Sequence, residues 1–239
     1  MDPVEAYLCD EGLARFCTHN YKKPDHTNIK NLYMHLTNFS LNKNSQRFKA
    51  PGEQFANDDK SSKQLFTSII KNLAAKGKDT RYLMKQIREV AQKTIIALEP
   101  YLKNAYHCFI STNHSNPRSF QILGLDILID ENLNAWLLEV NANPSLNVYT
   151  DKELPNGDIE QTLSELDKYV KTNCLSDVIK IVTTNHEQLK HVQEVGMLKK
   201  ILPVHNGQLD ELYLYSYAEK MFEILAGQKS YDFITSSQF

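Results

Sequence analysis

Two carboxylates embedded in otherwise apolar runs are the feature of this sequence most able to do chemistry. Phe120-Gln121-Ile122-Leu123-Gly124-Leu125-Asp126-Ile127-Leu128-Ile129-Asp130 is followed by Glu131-Asn132-Leu133-Asn134 and then by Ala135-Trp136-Leu137-Leu138-Glu139-Val140-Asn141. With the turn centred between Asn132 and Leu133, an antiparallel register sets Asp126 across from Glu139 and Gly124 across from Asn141. Alternation then puts Asp126, Glu139 and Asn141 on one face. Leu123, Leu125, Ile127, Leu138 and Val140 take the other, to pack against a core. Facing like charges repel, and two carboxylates with an amide oxygen are hard ligands suited to Mg²⁺. Gly124 leaves room beside them. The plainer reading is a solvent-facing pair that is merely tolerated, and spacing alone leaves both open. Mg²⁺ held by carboxylates with open positions normally carries phosphates, which implies a nucleotide. Neither a Walker A pattern nor GxGxxG occurs, and the eight glycines are dispersed, so a phosphate cradle must be of another type or lie elsewhere.

The elements around this hairpin follow from periodicity. Residues 4–9 and 13–17 flank Asp10-Glu11-Gly12 and read as a first hairpin. Residues 18–31 and 41–60 are polar loops, separated by the short apolar segment Leu32 to Leu36 that runs into Thr37-Asn38-Phe39-Ser40. Leu65, Phe66, Ile69, Ile70 and Leu73 share a helical face, with Ser61 and Ser62 as candidate caps and Gly77 near the end. A second helix follows Asp79-Thr80 through Leu83, Ile87, Val90, Ala91, Thr94, Ile95 and Leu98, closed by Pro100. Residues 105–111 read as a strand and Asn113 to Ser119 as a polar loop. From Asp158 the pattern reads as helical: Ile159, Leu163, Leu166 and Tyr169–Val170, then Leu175 to Val182, Leu189 to Leu202, and Leu212 to Leu225. The expectation is an α+β unit over residues 1–150 and a helical extension over 151–239.

Composition narrows the function classes. Of 239 residues, 41% are hydrophobic and 23% charged, the balance of a globular protein. Lys and Arg number 27 against 29 for Asp and Glu, so no global field draws the chain to nucleic acid or an anionic membrane. No apolar run approaches the ~18 residues that span a bilayer, and the N-terminus carries no charged leader with an apolar core. Cys9, Cys17, Cys108 and Cys174 form no CxxC pair, and neither they nor the eight scattered histidines suggest a zinc site. Reduced thiols in the cytoplasm are the expectation.

Three segments, GLARFCT at 12–18, MHLTNFSLNK at 34–43 and LGLDILID…WLLEVNANPSL at 123–146, together resemble the tubulin–tyrosine ligase-like family. EGLARFCT and NANPSL look most like its polyglutamylase members, and SSKQLFTSII at 61–70 resembles the start of the family's GSK-containing helix. The resemblance covers about residues 2–150. It implies the C-terminal part of an ATP-grasp fold, antiparallel sheet with helices, that holds ATP and Mg²⁺. The implied activity is ligation of glutamate to glutamate side chains of tubulin C-terminal tails.

The resemblance also assigns residues. The family's metal ligands fall on Asp126, Glu139 and Asn141, the three that the hairpin argument selects. His35-Leu36-Thr37-Asn38 matches a nucleotide-contacting segment, and Leu138 would lie against the adenine. Arg15 and Lys63 match catalytic basic positions that hold the amino-acid substrate, with Phe39 and Ser40 beside them. Taken singly, Arg15 and Lys63 would be solvated surface residues, and Thr37-Asn38 a turn or helix cap. Ala142 stands where several family members carry His. The family region with phosphate-binding lysines and a KFDLR-like strand would precede residues 4–17, so the catalytic domain is expected to be incomplete. The alternative is a catalytically inactive module that binds tubulin or microtubules. Either way the implied location is the cytoskeleton, including cilium or basal body.

Overall fold

The computed structural model describes residues 4–52, 54–109, 119–153, 157–189 and 191–203. In chain order these carry β1 (Ala6–Cys9), β2 (Leu13–Arg15), α1 (Leu32–His35), α2 (Phe39–Asn42), β3 (Lys63–Leu65), α3 (Phe66–Ala75) and α4 (Thr80–Phe109). There follow β4 (Gly124–Ile129), β5 (Ala135–Asn141), β6 (Tyr149–Glu153), β7 (Ile159–Leu163), α5 (Glu165–Thr183), α6 (His186–Leu189), β8 (Glu194–Val195) and β9 (Leu198–Leu202). The result is an α+β chain of small sheets: a three-stranded β1-β9-β8 and the pairs β2-β3, β4-β5 and β6-β7. Two compact units emerge. One takes its described residues from Met1–Leu8, Arg81–Pro144 and Lys180–Phe239, the other from Cys9–Thr80 and Ser145–Ile179.

In the second of these units, β2 pairs antiparallel with β3 in the register Leu13↔Leu65, Ala14↔Gln64, Arg15↔Lys63. Leu65 then packs with Leu166 and Val170 of α5, and Leu13 and Phe55 close over them. Leu166 and Val170 are four apart and so share a helical face. Helix α5 starts where its sequence says it should: the Ser164 hydroxyl accepts the Asp167 backbone N–H at 3.3 Å, the N-cap bond of an S-x-x-D start.

The expected hairpin around Asp10-Glu11-Gly12 does not form, because β1 pairs with β9 and β2 with β3. Gly12 lacks the positive φ that tight hairpin turns draw from glycine. This stretch instead caps α3. Phe66 N–H donates to the Gly12 carbonyl at 2.9 Å, while Thr67 N–H and hydroxyl donate to the Glu11 carboxylate at 3.0 and 2.5 Å. A carboxylate there satisfies orphan N–H groups and complements the helix dipole. Ser61 and Ser62 are therefore not caps, and the Ser61 hydroxyl donates to the Lys63 carbonyl. At the far end, Gly77 takes φ +73° just past the helix, as a left-handed C-terminal residue does.

In the other unit, α4 buries Leu83, Ile87, Ala91 and Ile96. It does not stop at Pro100, which lies inside it. Proline removes one backbone donor, yet the Lys103–Glu99 ion pair at 2.8 Å brackets the position and the helix runs on to Phe109. The strand expected at 105–111 is thus helical through Phe109, its remainder lying outside the described residues with most of the 113–119 loop. Short β-prone windows are weak against a continuing helix.

The helical reading beyond Asp158 is corrected twice. Tyr149–Glu153 and Ile159–Leu163 form an antiparallel pair with Thr150 opposite Thr162, their hydroxyls 3.1 Å apart. In the connection between them Gly157 takes φ +87°, a conformation that glycine adopts without strain. Leu189 to Leu202 is likewise mostly strand: Val195 faces Leu198 across a two-residue Gly196-Met197 turn, with Gly196 at φ +58°. Leu198, Ile201 and Leu202 are buried, and the Gln92 amide donates to the Ile201 carbonyl at 2.9 Å. The helix expected over Leu212 to Leu225 lies outside the described residues.

Candidate functional site

The carboxylate hairpin has the expected pairing at its functional end: Gly124↔Asn141, Leu125↔Val140, Asp126↔Glu139. Its other end is offset by one, Ile127↔Leu137, Leu128↔Trp136, Ile129↔Ala135. The turn is therefore centred on Asn132, not beyond it, and Leu138 is left without a partner in the ladder as a β-bulge. This bulge is what places the carboxylates together. Without it Asp126 would face Leu138, and Glu139 would move to the opposite side of the sheet.

The turn is held by Asp130. Its carboxylate accepts the backbone N–H of Asn132 and Asn134, both at 2.9 Å, and the Asn134 amide and Trp136 indole at 2.9 and 3.0 Å. Hydrogen bonds from Trp136 and Asn134 hold the Asp130 carboxyl down at about 2. Leu133 absorbs the reversal at φ +64°.

At the other end, a Cβ on Gly124 would come within 3.0 Å of Pro144 Cβ and 3.5 Å of Asn141 Cβ. Glycine there lets the Asn-Ala-Asn-Pro segment fold close to the strand, where the Gln121 amide also donates to the Ala142 carbonyl. The Asn141 amide N–H lies 3.4 Å from Glu139 Oε1. The apolar side does not form the expected buried layer: Val140 is exposed, and Leu138 is 63% exposed as the unpaired bulge residue. Among the described residues no group of three or more His, Cys, Asp or Glu is arranged as a metal cluster. The donor set here is two facing carboxylates plus an amide, all oxygen, which fits Mg²⁺ by its chemistry.

The cationic group occupies the other unit. Arg15 and Lys63 stand directly opposite each other in the β2–β3 ladder, and Lys63 Nζ sits 5.1 Å from the centre of the Phe39 ring. Lys63 is not a solvent-facing lysine. It donates to both oxygens of Asp167 at 2.7 and 2.6 Å, and the two side chains are only 11% and 4% exposed. Asp167 also meets Lys171 at 3.0 Å and the Ser164 hydroxyl at 2.6 Å. Burial pushes the Asp167 carboxyl up, but hydrogen bonds from Lys63 and Ser164 outweigh it and hold the group below its usual range. Burial also pulls Lys63 down, against the attraction of Asp167. The charged pair is the state this geometry supports, because both carboxylate oxygens accept short bonds from Lys63.

The segment from His35 to Ser40 belongs to the same unit and is organised by Asn42, which is almost fully buried. The Asn42 amide donates to the carbonyls of Leu36 and Asn38 at 2.7 and 3.0 Å, and its oxygen accepts the Thr18 N–H at 3.0 Å. His35 Nε2 is engaged with Asn28 at 3.1 to 3.2 Å, and its Nδ1 is buried without a hydrogen-bond partner. Leu36, Asn38 and Ser40 are exposed, Thr37 half-buried.

The structure thus brings Asp126, Glu139 and Asn141 together in one unit and Arg15, Lys63 and Phe39 together in the other. Sequence reasoning missed Asp167, Asn42 and Glu11. Ser164-x-x-Asp167 is visible as a capping signal, but nothing local ties it to Lys63.

This chain is a member of the tubulin-tyrosine ligase family, whose model matches residues 1–191. Within that class it is similar to the tubulin polyglutamylase TTLL11 of Mus musculus, 40% identical over 195 residues, 82% of this chain and 26% of the relative. The tubulin polyglutamylase TTLL11 of Homo sapiens is 41% identical over 184 residues, 76% and 25%. The probable beta-tubulin polyglutamylase of Tetrahymena thermophila is 33% identical over 235 residues, 97% and 18%. The chain therefore spans about a quarter or less of the length of these curated relatives.

Proposed function

We propose that this chain is part of an ATP-dependent carboxylate–amine ligase of the tubulin polyglutamylase type, with an ATP-grasp fold, acting at the cytoskeleton. The reaction joins the amine of glutamate to glutamate side chains of tubulin C-terminal tails by way of an acyl phosphate. The observation that carries this reading is the pairing of Asp126 with Glu139 and of Gly124 with Asn141, in a member of a family whose similar relatives are named tubulin polyglutamylases. Asp126, Glu139 and Asn141 would hold Mg²⁺, which when bound offsets phosphate charge. His35, Leu36, Thr37 and Asn38 would contact the nucleotide. Leu138, exposed at the bulge of the hairpin, is the residue proposed for its base. The backbone of the segment from His35 to Asn38 is held by the Asn42 amide, which donates to the carbonyls of Leu36 and Asn38.

Arg15 and Lys63 bind the carboxylates of glutamate beside Phe39 and Ser40. A carboxylate binding to Lys63 competes with Asp167, and Lys171 remains to pair with Asp167 when Lys63 is drawn away. The test is mass spectrometry of tubulin incubated with glutamate, ATP, Mg²⁺ and a form of the chain extended by the preceding phosphate-binding region, since the chain alone is expected to be inactive. Added glutamates that vanish with Glu139→Gln support the reading; glutamylation unaffected by Glu139→Gln contradicts it.

A further inference from the structure

Lys63 and Asp167 hold each other, but their remaining partners are unequal. Asp167 keeps two of its own, on α5 and at its cap. The Ser164 hydroxyl, three residues before it, donates to Oδ2 at 2.6 Å, and Lys171, four residues after it, lies 3.0 Å from Oδ1. Neighbours at such helical spacing stay within reach whatever Lys63 does, and Lys171 is itself anchored by donating to the Asn147 carbonyl. Lys63 stands on β3 and meets Asp167 with the end of a flexible side chain, donating to both carboxylate oxygens. Its ammonium also lies 5.1 Å from the centre of the Phe39 ring, a weaker partner than a carboxylate. Among the described residues, then, Asp167 can release Lys63 and retain two bonds. Lys63 can release Asp167 only to another anion, because a largely buried ammonium left alone is costly.

We propose that Asp167 is a resident carboxylate that occupies Lys63 until a carboxylate of glutamate displaces it, with Ser164 and Lys171 retaining Asp167 through the exchange. This rests on the reading of Lys63 as a glutamate-binding residue and adds the control of that site. Asp167 touches no reacting atom and is a positioning residue. It keeps the buried ammonium charged and oriented before substrate arrives, and it competes with that substrate. Glutamate therefore binds with an affinity reduced by the fraction of chains in which Lys63 is held by Asp167. The exchange selects for a carboxylate, since a neutral group offers Lys63 no equivalent of the charge it gives up.

The experiment titrates L-glutamate into the 239-residue chain, read by NMR, in wild type, Asp167→Asn and Lys171→Met. Lys63, Phe39, Ser164, Asp167 and Lys171 all belong to one compact unit, so every member of the exchange is present. Asp167→Asn keeps an acceptor for the Ser164 hydroxyl and removes the competing charge. Glutamate should bind it about ten-fold more tightly, the scale of one charge-assisted hydrogen bond no longer opposed, even as stability in urea falls. A merely structural Asp167 requires the opposite sign, weaker binding together with lower stability. Lys171→Met removes a partner that retains Asp167, so Lys63 is held harder and glutamate should bind several-fold more weakly. This second variant keeps the test decisive if Asp167→Asn does not fold. Binding unchanged or weakened in Asp167→Asn, or unchanged or tightened in Lys171→Met, overturns the proposal while leaving the ligase reading in place. Absence of glutamate binding in all three proteins overturns the proposal and the assignment of Lys63 together.

Discussion

The acidic hairpin and the cationic ladder are two charged groups of this molecule that are built by opposite means. Asp126 and Glu139, thirteen positions apart in sequence, are placed by one contiguous hairpin, through a turn locked by Asp130 and a bulge at Leu138. Lys63 is placed by Asp167, 104 residues away in sequence, in a bond that buries both partners. One group depends on register and the other on long-range packing. The difference teaches that the hairpin should be sensitive to chain length and tolerant of distant change, whereas the ladder should fail when a single side chain on α5 is removed.

The sharpest way to break this contrast is to insert an alanine between Leu138 and Glu139. With the single-residue bulge kept, the inserted alanine takes the place opposite Asp126 and Glu139 moves across from Leu125, on the other face of the sheet. Divalent-ion affinity should fall by about a hundred-fold or more, the scale on which displaced metal-site partners lose binding. Titration with Mn²⁺ checks this, with unchanged circular dichroism showing that the rest of the chain still folds.

Next in size is Asp167→Ala, which leaves the largely buried Lys63 without its carboxylate partner. Breaking a buried pair in this way costs about 3–5 kcal/mol, measured as the loss of unfolding free energy in urea. Adding Lys63→Met to the same chain should recover much of that loss, since the stranded charge is gone.

A third expected outcome is a pH dependence that sets the two regions apart. Asp167 is held below its usual range in the folded chain, so between its folded and unfolded values the unfolded state binds more protons. Its contribution is complete above the unfolded value of about 3.9 and is lost as pH falls through the folded value. Urea unfolding from pH 6 down to roughly pH 2 should show this slope, and Asp167→Asn should flatten it.

The smallest effect is expected of Ser164→Ala. It removes both the N-cap acceptor of α5 and one bond to Asp167. A loss of about 1 kcal/mol in unfolding free energy is the ordinary cost of such a cap.

The same contrast explains how much of the molecule was legible in its sequence. The Asp126–Glu139 pairing could be read because alternation and a short turn fix it locally, although the one-residue offset from the turn and the compensating bulge could not. The α3 stripe was readable for the same reason. Its cap was not, because Glu11 reaches it from a different segment where seryl caps looked adequate. Apolar spacing at Ile159 and Leu163 imitated a helix where the chain forms β7. The partner of Lys63 was invisible because no local pattern encodes a contact with α5. Family resemblance pointed to Lys63 as a substrate clamp, while the fold adds that this lysine already holds a carboxylate.

The central claim is that Asp126 and Glu139 form one divalent-ion site, and calorimetric titration of the purified chain with Mn²⁺ tests it most directly. The account predicts one saturable site in the wild type, weakened by about ten-fold or more in both Asp126→Asn and Glu139→Gln, in line with the loss expected when a metal's oxygen ligands are removed. Binding isotherms identical among the three proteins would contradict it.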